Sequence, residues 1–316
     1  MNVMVTGGAG FIGSHVCEAL LDLGHKVVCV DNFDDLYDPK IKEKNIENLG
    51  AKDGFSFHKA DIRDYDGMKR VFSESSVDKV VHLAAKAGVR ASIANPKEYE
   101  DVNVNGTRNM LELCREFNIK GFVFGSSSSV YGVNKKVPFS ESDAVESQIS
   151  PYAKTKRDAE ILCQDFSREF GLDIVCFRFF TVYGPRGRPD MAVYKFTQLI
   201  DKGSPVEVFG RGNAKRDFTY VKDIADGVAG SIDRDFGFEI INLGSANPIT
   251  VKRVIKLIEA NLGKKAKMNF VPPQEGDVPI TYADISKAKK LLGYSPGTGI
   301  EQGIKYFVEW YVKNRG

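Results

Sequence analysis

No stretch of the chain approaches the roughly 20 consecutive apolar residues that a bilayer-spanning helix needs. Neither charge sign dominates: 44 Lys and Arg stand against 42 Asp and Glu in 316 residues. That balance supplies no global field toward nucleic acid or a membrane surface, so neither is expected as a partner. Histidine is scarce, and the five cysteines (Cys17, Cys29, Cys114, Cys163, Cys176) form no Cys-x-x-Cys pair and no cluster with histidine. No metal site or disulfide framework is therefore expected. An odd, scattered set fits buried, reduced thiols, and with a first strand expected from residue 2 no targeting segment is foreseen; the expected location is the cytoplasm. Internal repeats and low-complexity tracts are also missing. What remains is 42% hydrophobic and 27% charged, the balance of a globular chain with a sizeable core.

The order of apolar segments is the first positive signal. Asn2–Thr6 reads as a strand, and Phe11–Leu23 carries apolar residues at helical spacing until Gly24 stops it. Lys26–Val30, Phe55–His58, Asp78–His82, Gly121–Phe124 and Leu172–Phe177 read as further strands. Helices are expected at Tyr65–Ser73, Pro96–Phe117 and Pro151–Phe170. Strands alternating with helices from the first residue predict an α/β fold, a Rossmann-type doubly wound parallel sheet. Beyond about residue 180 the rhythm loosens into Gly- and Pro-rich loops and shorter elements. A smaller C-terminal α/β lobe (181–316) is expected after a dinucleotide-binding domain (1–180), with some crossing of the chain between them and the active site at the carboxyl edge of the sheet.

Gly7, Gly10 and Gly13, with Phe11 and Ile12 between, fall where the first strand turns into the first helix. Glycines at this spacing permit a tight turn, close approach of backbone to a pyrophosphate, and tight helix–strand packing. Asp31, followed by Asn32, closes the second strand 18 residues after Gly13, near the spacing of about 20 for a ribose-binding acid. A carboxylate there accepts from both ribose hydroxyls and repels a 2′-phosphate, which favours NAD over NADP. Asp61-Ile62 follows the third strand, where a carboxylate can meet an adenine amino group. Leu83-Ala84-Ala85 ends the fourth strand with small residues that let a cofactor pass close to backbone.

Tyr152 and Lys156 stand four residues apart on one helical face. A phenol has an ordinary pKa of about 10, and a neighbouring ammonium together with a cationic nicotinamide ring favours its ionised form. Tyr152 can then take a hydroxyl proton while hydride leaves the same carbon. Ser126-Ser127-Ser128-Ser129 ends the fifth strand, where a hydroxyl can hydrogen-bond the reacting oxygen. A Tyr-x-x-x-Lys pair or a serine run alone is commonplace on helix surfaces and in loops; the combination with the glycine turn is what points to an enzyme.

Together these residues resemble the extended short-chain dehydrogenase/reductase family, and within it the nucleotide-sugar 4-epimerases. The resemblance spans essentially the whole chain. It implies a catalytic set of Ser127, Tyr152 and Lys156, and NAD contacts from Gly7, Gly10, Gly13, Asp31, Asp61 and Lys156. It also implies that Arg216 faces a diphosphate, that Asp277 accepts from the uridine ribose, and that the second lobe mainly holds the nucleotide sugar. An ordinary surface ion pair with Asp217 is the competing reading of Arg216. The long helices at 96–117 and 151–170 resemble those that pair across the family's homodimer.

Three stretches, Ala84–Arg90, Arg178–Ala192 and Gly276–Asp284, resemble UDP-glucuronate 4-epimerases more than UDP-glucose 4-epimerases. Thr181 stands where the glucose enzymes carry Asn, whereas Arg186 and Lys86 replace a Trp and a Gln of the uronate type. The implied reaction interconverts UDP-glucuronate and UDP-galacturonate through a 4-keto sugar with no net redox. Because that intermediate is a β-keto acid, its carboxylate must be held out of line with the carbonyl; Ser127, Ser128, Ser129 and Thr181, with Arg188 or Arg90, are the expected holders. Related decarboxylases carry Glu and the dehydratases an Asp-Glu pair where this chain has Ser128-Ser129. UDP-glucose epimerisation, UDP-glucuronate decarboxylation and a non-catalytic NAD-sensing role remain the alternatives.

Overall fold

The structure is a computed structural model that describes residues 1–146, 148–272 and 278–315. Its main sheet has seven strands in the order β10-β6-β5-β4-β1-β2-β3. These are β1 (Asn2–Thr6), β2 (Lys26–Asp31), β3 (Phe55–Lys59), β4 (Lys79–His82), β5 (Gly121–Ser127), β6 (Asp173–Phe179) and β10 (Phe238–Leu243). The β1–β2, β1–β4, β2–β3, β4–β5 and β5–β6 pairs all run parallel. β1, β4 and β5 are buried nearly end to end, the pattern of central strands covered on both faces. The strand order reverses at β1, which opens a crevice at the carboxyl ends of β1 and β4.

The connecting helices are α1 (Phe11–Asp22), α2 (Pro39–Glu47), α3 (Tyr65–Ser75), α4 (Val89–Ala94), α5 (Pro96–Glu100), α6 (Gly106–Glu116) and α7 (Pro151–Phe170). α7 shows why its ends are sharp. The Ser150 side chain accepts from the Ala153 amide at 3.1 Å, Pro151 opens the first turn, and Gly171 closes the helix at φ +68°; each is the preferred residue at its position. Met110, Leu111 and Cys114 of α6 and Ala159, Cys163 and Phe166 of α7 pack against Val80, Phe122, Phe124 and Ile174 of the sheet. All five cysteines are buried and unbridged.

The helix expected over 96–117 is interrupted. Between α5 and α6, Asp101–Asn105 form a π turn, whose extra residue widens the helix and is often found at functional sites. Asn103 and Thr107, four apart, are both turned inward and buried. Gly106 packs so tightly on Ile62 that a Cβ there would lie 2.6 Å from the Ile62 Cδ1. α2 and α4 are further additions, although the Asp38-Pro39 start of α2 is a recognisable cap, with the Asp38 carboxylate accepting from the Lys40 amide.

Compact grouping divides the chain into two units. One comprises Met1–Gly132, Glu141–Phe179 and Ala225–Ile241; the other comprises Val133–Ser140, Phe180–Ile224 and the chain from Asn242 on. Regular structure persists in the second unit rather than loosening. It contains β7 (Thr181–Tyr183), α8 (Ala192–Asp201), β8 (Pro205–Phe209), β9 (Lys215–Tyr220), β11 (Pro248–Thr250), α10 (Val251–Leu262), β12 (Lys267–Val271), α11 (Ser286–Leu292) and α12 (Ile300–Asn314), while α9 (Val221–Ala229) runs from this unit into the first. Its short strands pair as β11-β9-β7 and β12-β8, and Val206, Val208, Ile258, Ile304 and Phe307 fill its core. Strands of three to six residues between Gly and Pro breaks carry too little periodicity to separate from loops. Among the described residues no helix is long and apolar enough to cross a membrane.

Candidate active site

The glycine turn is a cradle built without room for side chains. Gly7 has φ +69°, and a Cβ on it would meet the Ala84 amide nitrogen at 2.7 Å. A Cβ on Gly13 would run into the Gly7 carbonyl oxygen and lie 2.8 Å from the Gly8 Cα. The turn is closed by the Gly10 amide donating to the Gly7 carbonyl at 3.0 Å. α1 then starts with no side-chain cap and no acidic residue in its first turn. Amides of Phe11, Ile12 and Gly13 at an uncapped helix start, on a backbone stripped of Cβ atoms, fit a pyrophosphate. Leu83, Ala84 and Ala85 line the neighbouring strand end; the Leu83 amide donates to the Thr6 carbonyl at 3.0 Å.

Asp31 is buried at the end of β2, and its carboxylate accepts from the Phe33 amide at 2.9 Å and the Ala9 amide at 3.3 Å. Lys42 lies 3.5 Å from the same carboxylate. Farther along, Asp61 is held by Arg63, whose Nε and Nη2 donate at 3.0 and 2.7 Å, and by the Arg63 amide at 2.9 Å. The Asn32 side-chain amide donates to it at 2.9 Å. The Arg63 hydrogen bonds, opposed by partial burial, lower Asp61 to about 2. With four donors already on this carboxylate, an adenine amino group meeting it must displace one of them. Ile62 beside it is buried.

Ser127, Tyr152 and Lys156 all belong to the first unit. Ser127 ends β5 and caps the 3₁₀ turn Ser128–Tyr131, its oxygen accepting from the Ser129 amide at 3.1 Å. The Ser127 hydroxyl also donates to the Ser129 hydroxyl at 3.1 Å. Tyr152 is half-buried and meets Tyr99 edge-on, ring centres 6.3 Å apart. Lys156 is buried, and its Nζ donates to the Gly125 carbonyl at 2.8 Å and sits 4.9 Å from the Phe124 ring centre. Burial lowers Lys156 to about 8, which leaves it mostly charged at neutral pH. Arg90 stands exposed near the start of α4.

Two clusters that the sequence patterns did not reveal hold this unit's site. In the first, Thr107 donates to the Asn103 carbonyl at 2.7 Å and lies 3.1 Å from His82 Nε2, while Thr6 lies 2.7 Å from His82 Nδ1. Since the Thr107 proton is committed, His82 donates to it through Nε2; burial beside a cation keeps His82 neutral, so Nδ1 accepts from the Thr6 hydroxyl. Burial, and secondarily the charge of Lys156, lowers His82 to about 3. Asn103 continues the chain by donating to the Lys86 carbonyl and the Thr155 hydroxyl, both at 3.0 Å. The second cluster centres on Glu160, one turn beyond Lys156 and wholly buried. It accepts from Arg178 at 2.9 and 2.8 Å and from the Ser126 hydroxyl at 2.6 Å. Arg178 in turn stacks on the Tyr131 ring at 4.8 Å. Glu160 therefore pins both sides of the serine turn to the helix that carries Tyr152.

Thr181, Arg188 and Arg216 lie in the second unit, and Asp277 falls outside the described residues. Arg188 grips Asp190 through two bonds of 3.0 and 2.6 Å. Arg216 donates to the Lys215 carbonyl at 2.8 Å. Its neighbour Asp217 is not its surface partner: the carboxylate is fully buried and accepts from Ser245 amide and hydroxyl at 2.7 Å each and from the Ala246 and Ala283 amides at 3.1 and 3.0 Å. Successive residues of a strand point to opposite faces, so a residue of β9 that anchors two loops leaves Arg216 on the other face.

The description NAD dependent epimerase/dehydratase family matches residues 3–244. A UDP-glucuronate 4-epimerase of Thermodesulfobacterium geofontis is 45% identical, over 98% of this chain and 96% of that protein. The UDP-glucuronic acid 4-epimerase of Bacillus cereus, solved with UDP-glucuronic acid and NAD, superposes with a TM-score of 0.93 at 36% identity, covering 99% of each chain. The UDP-glucose 4-epimerase of Thermotoga maritima, solved with UDP-glucose, reaches 0.92 at 34% identity over 100% of each. Backbone shape is thus shared by enzymes of both sugars.

Proposed function

The chain belongs to the NAD dependent epimerase/dehydratase family, and we propose that it interconverts UDP-glucuronate and UDP-galacturonate by inverting carbon 4 of the sugar. The observation that carries this reading is the 45% identity, end to end, with a UDP-glucuronate 4-epimerase, in a chain that keeps Tyr152 and Lys156 on one helical face. NAD supplies the hydride acceptor and donor, and the glycine cradle, where Cβ atoms at Gly7 and Gly13 have no room, fits its pyrophosphate.

Tyr152 is assigned the proton of the C4 hydroxyl, taken as the 4-keto sugar forms and returned when the opposite face is reduced. Lys156, whose Nζ donates to the Gly125 carbonyl, is assigned the charge that favours the phenolate. Ser127 is assigned a hydrogen bond to the reacting oxygen. Asp31 is assigned the adenosine ribose, Arg216 the diphosphate and Asp277 the uridine ribose. The Ser127–Ser129 turn, Thr181, and Arg188 or Arg90 are assigned the uronate carboxylate. A β-keto acid loses carbon dioxide when its carboxylate bond aligns with the carbonyl π system, so orienting that group is part of the catalyst's task. The serine pair replaces the acid that decarboxylation and elimination chemistry would use.

Kinetics with the two sugars test the reading: kcat/KM for UDP-glucuronate should exceed that for UDP-glucose by at least about tenfold, the worth of one satisfied polar contact. The reverse order assigns the neutral hexose instead. Replacing Ser128 and Ser129 together with Ala should raise the yield of UDP-pentose relative to epimer; unchanged product ratios would remove these hydroxyls from carboxylate control. The reading further places the enzyme in the cytoplasm as a homodimer joined through α6 and α7. Ile161 on α7 is an apolar side chain left 40% exposed, in keeping with a face that a second copy covers. Light scattering at twice the chain mass is the expected result.

A further inference from the structure

Lys86, four residues past the end of β4 and so just beyond Ala85, is a largely buried cation tied to two separate segments. Its Nζ lies 2.8 Å from Asp34, in the loop that leaves β2, and 2.8 Å from Glu98 on α5. β1 lies between β4 and β2 in the sheet, so two strand spacings of about 5 Å each separate their ends. The Lys86–Asp34 pair therefore joins the loops on either side of the glycine turn. One end of this link is a fixed post: the Lys86 amide donates to Asn103 at 2.8 Å and its carbonyl accepts from Asn103 at 3.0 Å. Glu98 is steadied by the Asn95 side-chain amide at 2.8 Å.

The other end is a loop that begins with Asp31 and folds on itself. The Asn32 side chain accepts from the Asp34 amide at 2.9 Å, and the Asp34 side chain accepts from the Leu36 amide at 3.0 Å. Farther along, Asn45 of α2 donates to the Ala9 carbonyl of the glycine turn at 3.0 Å. The segment from Asp31 to Asn45 is thus attached at its start to β2, three residues on to Lys86, and at its end to the turn. We propose that Lys86, Asp34 and Glu98 form an ionic clasp that closes this segment across the carboxyl end of β1 and sets how long NAD stays bound. The inference rests on the cofactor assignment above and goes beyond it. An epimerase that leaves its keto sugar in place must keep the same dinucleotide through both half-reactions, and a clasp between the loops flanking the pyrophosphate cradle slows the opening that release requires.

NAD exchange on the holoenzyme tests this without any sugar. Purified protein is mixed with excess isotopically labelled NAD, and bound label is counted over time after desalting. Lys86→Gln and Asp34→Asn should each speed exchange roughly tenfold, as expected for loss of a partly buried ion pair worth about 1.4 kcal/mol. Lys86→Arg should stay within about twofold of the parent, and the double variant Lys86→Gln/Asp34→Asn should be no faster than the faster single, because both remove one interaction. Asp34 is the more exposed partner, so its variant carries the test if Lys86→Gln folds poorly. Unchanged rates, or single effects that multiply in the double variant, overturn the clasp. A parent chain that takes up no NAD overturns it together with the cofactor assignment. These exchange ratios in a chain that leaves UDP-glucuronate untouched support the clasp and remove only the substrate assignment.

Discussion

Lys156 is the residue whose surroundings say most about conditions of use. Burial pulls it to about 8, below the ordinary lysine value of about 10.4. The folded chain therefore sheds this proton before the unfolded chain does. Folding stability should rise with pH between those two values, since the unfolded state then binds more protons. Activity should run the other way, with kcat/KM falling above about pH 8 as the charge that favours the Tyr152 phenolate is lost; a flat profile to pH 9.5 would contradict this. Glu160 and Arg178 give a second residue-level expectation. Arg178→Met leaves a wholly buried carboxylate with the partly exposed Arg157 at 3.1 Å as its remaining ion-pair partner. Breaking such a pair costs about 3–5 kcal/mol, so a urea melt should shift strongly, whereas a loss below about 1 kcal/mol would mean that the network contributes little. Tyr152, Lys156, Asp31 and the glycines could be singled out as candidates because each stands in a local pattern of fixed spacing. Glu160, Asp217 and His82 were not. Arg178, Ala283 and Thr6, which bind them in the interior, lie 18, 66 and 76 residues away, and nothing in their immediate sequence marks a polar group as buried.

At the scale of elements, the glycine turn packs on Ala84 and the π turn ties Lys86 to Thr155 of α7. Gly7→Ala should cost about 3 kcal/mol, combining a left-handed backbone with a contact on the Ala84 amide. NAD affinity should fall with it, because the displaced turn carries the amides assigned to the pyrophosphate. A variant that melts and binds NAD like the parent would mean that the turn tolerates a side chain. Strands β1 to β6 and α7 could be read from the sequence because long apolar runs and clear caps agree there, whereas β10, the edge strand of the same sheet, was not foreseen. Asp101–Asn105 could not. A π turn adds one residue to a helical run and so shifts the apolar spacing by a single position, a break too small to read in a short window; the inward turn of Asn103 is fixed by its bonds to the Lys86 backbone, 17 residues away. The short strands of the second unit were hidden for a different reason. Pairing in β11-β9-β7 and β12-β8 fixes them through partners distant in sequence, while their own three to six residues hold no decisive period.

For the whole molecule, the fold class follows from the βα alternation, and the chemistry from where that alternation places a glycine turn and a Tyr–Lys helix. The choice of sugar does not follow from shape, since relatives acting under both the uronate and the glucose names superpose almost equally well. The uronate reading rests on the 45% identity with a UDP-glucuronate 4-epimerase, and the side chains assigned to it are a serine turn in place of an acid, Thr181, and Arg188 or Arg90. The central claim is that the chain inverts carbon 4 of UDP-glucuronate with its own retained cofactor and keeps the carboxylate. Incubating the purified protein with UDP-glucuronate deuterated at C4, with no cofactor added, and analysing the products by mass and NMR tests it most directly. UDP-galacturonate carrying the deuterium at C4, without pentose, is the predicted result. Deuterium lost to solvent, a UDP-pentose product, or unchanged UDP-glucuronate even after NAD is supplied would contradict it.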